Sequence, residues 1–145
     1  MNRWVVFTIA IFSLANCHKP PEKSAIDTWE KTITNKYWKL ISMKGEIIQR
    51  DFVREPSMTL RFPGNQMKGN GGCNPFTAVY KIGSSNNISF SEFESKDTGC
   101  GVSGTQKEFF HVLKVTNRYA ILRDTLWLKI NNHEELARLE AVYFE

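Results

Sequence analysis

Several short runs of this chain alternate apolar and polar residues one for one, and a period of two admits few structures other than the β-strand. From Tyr37 onward, Trp38 and Leu40 fall on one side and Tyr37, Lys39 and Ile41 on the other. In "SMTLRF", Met58, Leu60 and Phe62 share a face and Thr59 and Arg61 share the opposite one; Pro63-Gly64-Asn65 then supplies a turn. Phe76, Ala78, Tyr80 and Ile82 alternate with Thr77, Val79 and Lys81, and "GSSNN" separates them from "ISFSEF" as in a hairpin. Each run has an apolar face to bury, so the strands are expected to share a core.

"GTQKEFFHVLKVTN" breaks the period. Thr105 and Glu108 have capping-box spacing, and Phe109, Val112, Leu113 and Thr116 form a stripe at i, i+3, i+4 and i+7, which predicts a helix. The remainder predicts two strands joined at Arg123-Asp124, a turn at Asn131-Asn132, and a last strand from Leu139 to Phe144. "EELARLEA" also has helical propensity. Seven or eight short strands and one helix imply a mainly β (α+β) domain over residues 36–145. The expected form is an antiparallel meander curled into a partly open barrel or twisted sheet, with the helix packed on it. A chain of 145 residues accommodates one such core.

The N-terminus is read as an address. Arg3 precedes an apolar run from Trp4 to Ala15, the pattern of a secretory signal peptide over residues 1–16. The run is too short for a membrane span, which needs about 20 apolar residues. Its end, Leu14-Ala15-Asn16-Cys17, resembles the lipobox of bacterial lipoproteins, in which the cysteine is acylated and becomes the new N-terminus. Asn16 departs from that pattern, which has a smaller residue there. One acyl chain anchors only marginally, whereas two or more anchor stably, and the resemblance implies the latter. Residues 17–35, polar and containing Pro20-Pro21, are expected to be a lipidated N-terminus and flexible tether. His18 in place of Asp after the cysteine implies, by the same resemblance, an outer-membrane location facing the periplasm.

Lipidation of Cys17 leaves Cys73 and Cys100, 27 positions apart. Either they form a bridge, worth about 3–4 kcal/mol in loop-closure entropy, or both are small buried hydrophobes. The export signal favours the bridge.

"GNGGCNPF" is the stretch where a chemical site is most readily sought. It lacks the closing glycine or Lys-hydroxyl pair of a phosphate loop and runs into an alternating strand, not a helix. Cys73, Cys100, His111 and His133 lack the close spacing of a structural zinc site. A lone His111 on a helix is weak support for a cysteine nucleophile. Gly69, Gly71 and Gly72 instead suit a bend that only glycine tolerates, with Asn74 holding it by side-chain hydrogen bonds. The phenylalanines Phe76, Phe90, Phe93, Phe109 and Phe110 are expected in the core. The formal charge of +4 is spread among Asp and Glu and marks no nucleic-acid face. No catalytic, cofactor-binding or metal-binding residue is therefore assigned.

From Tyr37 to Phe144 the chain resembles the META domain of the HslJ-type heat-shock lipoproteins. Trp38 and Leu40 match the opening W-x-L; Gly72, Cys73, Asn74 and Phe76 match the signature G-C-N-x-[FY]; Tyr80 matches the tyrosine beyond it. The resemblance implies a second cysteine 25 to 30 residues on, the place of Cys100, and so agrees with a Cys73–Cys100 bridge. Phe109, Leu113, Tyr119 and Asp124-Thr125-Leu126 resemble the family's helix, strand and turn. Lys96 stands where the family has threonine, with Thr98 shifted toward Cys100, and Arg123 stands where glycine is common. The resemblance implies a non-enzymatic envelope lipoprotein active in stress response or envelope maintenance. Two alternatives remain: a barrel carrying an apolar small ligand or lipid, and a module docking on an envelope protein through a sheet edge or aromatic patch.

Overall fold

The computed structural model describes residues 32–49 and 53–144. The expected signal peptide, Cys17 and the tether up to residue 31 lie outside the described residues. The strands are β1 (Tyr37–Met43), β2 (Glu46–Ile47), β3 (Ser57–Leu60), β4 (Gln66–Asn70), β5 (Pro75–Ile82), β6 (Ile88–Ser95), β7 (Arg118–Leu122), β8 (Thr125–Ile130) and β9 (Glu134–Val142). Helix α1 (Gly104–Val115) joins β6 to β7. All nine strands lie in one antiparallel sheet of order β6-β5-β4-β3-β1-β9-β8-β7, with β2 paired only to β1. The sheet is open. Its two edges touch at the bridge Asn87–Arg118, where the Ile88 N–H donates to the Asn117 carbonyl at 3.1 Å.

The alternating faces explain the core. Trp38, Leu40, Met58, Leu60, Met67, Phe76, Ala78 and Tyr80 are buried from one half of the sheet, and Leu126, Leu128, Leu139 and Ala141 from the other. The helix stripe Phe109, Val112 and Leu113 closes over them, fully buried. Burying each large apolar side chain contributes about 1.5–3 kcal/mol. The Trp38 indole N–H donates to the Ile33 carbonyl at 2.8 Å, so its polar edge is satisfied inside the core.

Some sequence expectations change. Residues 32–35, expected in the tether, are part of the domain: Ile33 is buried, Thr34 bridges to Leu60, and Asn35 exchanges hydrogen bonds with the Phe62 backbone. Phe62, expected inward, is exposed because β3 ends at Leu60 and residue 62 already belongs to the turn. Ile82, also expected inward, is exposed at the last position of β5. β4 was not expected, since "QMKGN" has one apolar residue; the ladders from β3 and β5 on either side impose extended backbone on it. The helix cap is Ser103, whose hydroxyl accepts from the Gln106 N–H at 3.1 Å, and not Thr105. β9 begins five residues before Leu139, at Glu134, because pairing with both β1 and β8 outweighs the helical propensity of "EELARLEA".

Strand direction alternates, so the turns collect at two rims. The β1–β2 and β4–β5 turns and the cysteine pair lie at one, the disulfide rim, whereas the coil of the sheet carries the β8–β9 turn to the β5–β6 turn: the Asn117 side chain accepts from the Asn131 N–H, and the adjacent Arg118 donates to the Ser85 carbonyl. The β3–β4, β5–β6 and β7–β8 turns, the incoming chain at Thr32 and the outgoing chain at Phe144 lie at the other, the N-terminal rim.

Candidate functional site

The β4–β5 turn at the disulfide rim is built from the residues singled out in the sequence. Cys73 is joined to Cys100 by a disulfide, with Cα atoms 6.3 Å apart. Gly72 has a φ of 115°, a left-handed conformation that costs a side-chain-bearing residue energy. Gly71 faces the helix: a Cβ there would lie 2.5 Å from the Gln106 side chain. Gly69 sits inside β4 and not in the bend, and a Cβ on it would lie 2.4 Å from both the Phe76 ring and the Ser57 carbonyl. Its role is close approach between neighbouring strands.

Two asparagines divide the work expected of one. Asn70 holds the bend, accepting from the Gly72 N–H at 2.8 Å and donating to the Cys73 carbonyl at 3.2 Å. Asn74, only 1% exposed, reaches across to the loop that carries Cys100. Its Oδ1 accepts from the Thr98 N–H at 2.9 Å and hydroxyl at 3.0 Å, and its Nδ2 donates to the Gly101 carbonyl at 2.6 Å. The shifted Thr98 is thus a partner of the signature asparagine. Gln106, also buried, donates to the Ser95 hydroxyl at 3.0 Å and ties the helix start to β6. Sequence reasoning passed over Asn70 and Gln106, although Asn-Gly marks turns and Ser103-x-x-Gln106 fits a capping pattern.

The arrangement consumes its own polar groups. Both sulfurs are bonded to each other, and the asparagine side chains are occupied by backbone. His111 is exposed on α1, near the Lys44–Glu108 ion pair. The hydrogen bond from Lys44 holds the Glu108 carboxyl below its ordinary range, against the opposing pull of desolvation. Among the described residues, no three His, Cys, Asp or Glu side chains converge as metal ligands.

Recesses among the described residues are open to solvent. One of about 380 Å³ lies beside Gly69, between Lys68, Phe76, Glu94 and Lys96. One of about 500 Å³ lies between the β1–β2 turn and the start of α1. A further one, of about 690 Å³, is at the N-terminal rim, lined by Ile33, Phe62, Tyr80, Ile82 and Tyr119 among others. Burial raises the Tyr80 and Tyr119 hydroxyls above the ordinary tyrosine pKa. The Tyr80 hydroxyl lies 2.8 Å from the Arg61 carbonyl and 3.1 Å from that of Gly64, pinning the β3–β4 turn.

Comparison with known proteins follows the same outline. The family model of the META domain matches residues 31–143. An NMR structure of a protein from Burkholderia xenovorans superposes with a TM-score of 0.57 at 17% identity, covering 87% of this chain and 99% of its own. A second NMR structure gives a TM-score of 0.56 at 15% identity, covering 74% and 90% respectively. At those identities the likeness is one of fold. No curated protein matches the sequence.

Proposed function

The chain belongs to the META domain family, and from that premise we propose that it is a non-enzymatic, lipid-anchored protein of the bacterial cell envelope. Its place is the outer membrane, facing the periplasm, and its role lies in stress response or envelope maintenance. The anchor is supported by the order of Arg3, the apolar run to Ala15 and Leu14-Ala15-Asn16-Cys17. The observation that carries the non-catalytic part is the Cys73–Cys100 bond, which occupies both sulfurs and joins the glycine-rich turn to the loop after β6.

Intact mass of protein extracted from membranes tests both parts. The expected result is acylation of Cys17 and a gain of about 2 Da on reduction, the two hydrogens of one opened S–S bond. Alkylation of the native protein is expected to leave Cys73 and Cys100 unlabelled until a reductant is added. An unacylated Cys17 removes the anchor; labelling of either interior cysteine before reduction removes the non-catalytic reading.

A further inference from the structure

We propose that the N-terminal rim is a membrane-contact surface, which lays its exposed aromatic side chains into the headgroup region of an anionic bilayer. The inference rests on the lipid-anchor reading, because acylated Cys17 would bring this rim to the bilayer. The chain reaches the domain at Thr32, and residues 18–31 span at most about 50 Å even when fully extended. A contact too weak to hold alone becomes effective at such a tether length, since the tether supplies a local concentration on the order of millimolar.

The rim has the chemistry that a bilayer interface selects. Among the described residues, the exposed large aromatic side chains, Phe62 (65%), Tyr143 (62%) and Phe144 (77%), all lie here, together with exposed Leu122. They are placed by the fold. Phe144 packs edge-on against Tyr37 with ring centroids 5.3 Å apart, the Tyr143 hydroxyl donates to Asp124 at 2.6 Å, and the Phe62 backbone is held by Asn35. The Phe62 and Phe144 rings and Leu122 supply apolar area that buries at the headgroup–acyl boundary, and Tyr143 settles there with its ring inward and its hydroxyl in water.

Charge agrees. Lys36, Arg61, Lys81 and Arg123 lie at this rim and outnumber its acidic side chains among the described residues, Asp124, which accepts from Tyr143, and Glu140, which pairs with Thr125. Basic side chains beside an anionic leaflet are attracted to it over about a Debye length. Among the described residues at the disulfide rim the exposed apolar residues are the aliphatic Ile47, Val53 and Val102, and the charges balance, with Glu46, Glu55, Asp97 and Glu108 against Lys44, Arg54, Lys96 and Lys107. That rim offers neither the rings nor the basic excess.

The test uses the whole mature chain from residue 17 carrying Cys17→Ser, so that no acyl chain contributes, sedimented with phosphatidylglycerol-containing vesicles and with phosphatidylcholine vesicles. Weak binding to the anionic vesicles is expected, weaker still in high salt and on phosphatidylcholine. Phe62→Ser with Phe144→Ser should reduce it about tenfold, as partial withdrawal of two rings from lipid implies. Ile47→Ser with Val102→Ser should leave it unchanged, and unaltered thermal unfolding would certify that all variants fold. No binding to either vesicle, or equal loss from both double variants, overturns the proposal. A photocrosslinker at position 144 of the intact protein in cells should yield lipid adducts; a recurrent protein adduct instead overturns it. The intact-mass measurement separates the two readings: acylated Cys17 without rim binding defeats the rim alone, and rim binding without acylation defeats the anchor alone.

Discussion

The two rims spend their side chains in opposite directions. At the disulfide rim Asn70, Asn74 and Gln106 turn inward and bind backbone or the side chains of Thr98 and Ser95, the two cysteines bond each other, and Gly69 and Gly71 are there because something else occupies the space of a Cβ. At the N-terminal rim one buried hydroxyl, Tyr80, holds a turn, while Phe62, Leu122, Tyr143 and Phe144 remain exposed. A side chain turned inward is felt when it is removed; one turned outward is felt only by whatever meets it. The difference separates residues that maintain the fold from residues available for contact.

The largest effect should come from cutting the staple. Cys73→Ser with Cys100→Ser is expected to lower unfolding free energy by about 3–4 kcal/mol, a large share of the usual 5–15, measured by urea denaturation. A loss under about 1 kcal/mol would erase the contrast between the rims. Next, Asn74→Ala removes three hydrogen bonds at a buried position and should cost about 2–3 kcal/mol. It should also speed amide hydrogen exchange in residues 97–101, because Asn74 bonds that loop at two of its backbone groups.

Tyr80→Phe probes the inward-facing group at the other rim and should cost about 1–2 kcal/mol. Its pH dependence has a definite sign. Burial raises the folded-state pKa above the ordinary tyrosine value of about 10, so the stabilisation by the neutral hydroxyl is fully present below about pH 10 and is lost as pH rises through the folded value. The natural chain should therefore weaken more steeply above pH 10 than Tyr80→Phe does in the same denaturation series. The smallest change is expected from Phe144→Ser, within about 0.5 kcal/mol of the natural stability, since that ring is 77% exposed. A larger loss would mean that Phe144 belongs to the fold through its contact with Tyr37 and would sharpen the boundary of the contact surface.

Much of the fold was legible because its signals are local. The alternation at Tyr37–Ile41 and Phe76–Tyr80 and the helical stripe from Phe109 to Thr116 each state a period within a few residues, and all became the elements they predict. β4 was illegible for the converse reason. Nothing within "QMKGN" favours a strand; only the ladders with β3 and β5 make it one. The candidate site divides in the same way. Cys73 and Cys100 were legible by type and number, and Gly72 by its place in a turn. The actual job of Gly69 depends on Phe76 and Ser57, and that of Asn74 on Thr98 and Gly101, partners the chain brings in from elsewhere.

By itself the amino-acid sequence determined the strand-rich class, the single helix, the identity of the bridging cysteines and the family signature, because period, residue type and spacing are properties of neighbours along the chain. The tertiary structure alone decided that the sheet stays open, that Gly69 is a contact and not a corner, and that the exposed aromatic residues gather at one rim. Those outcomes depend on which distant strands meet and in which direction each runs, and approach between distant segments is settled only when the whole core packs.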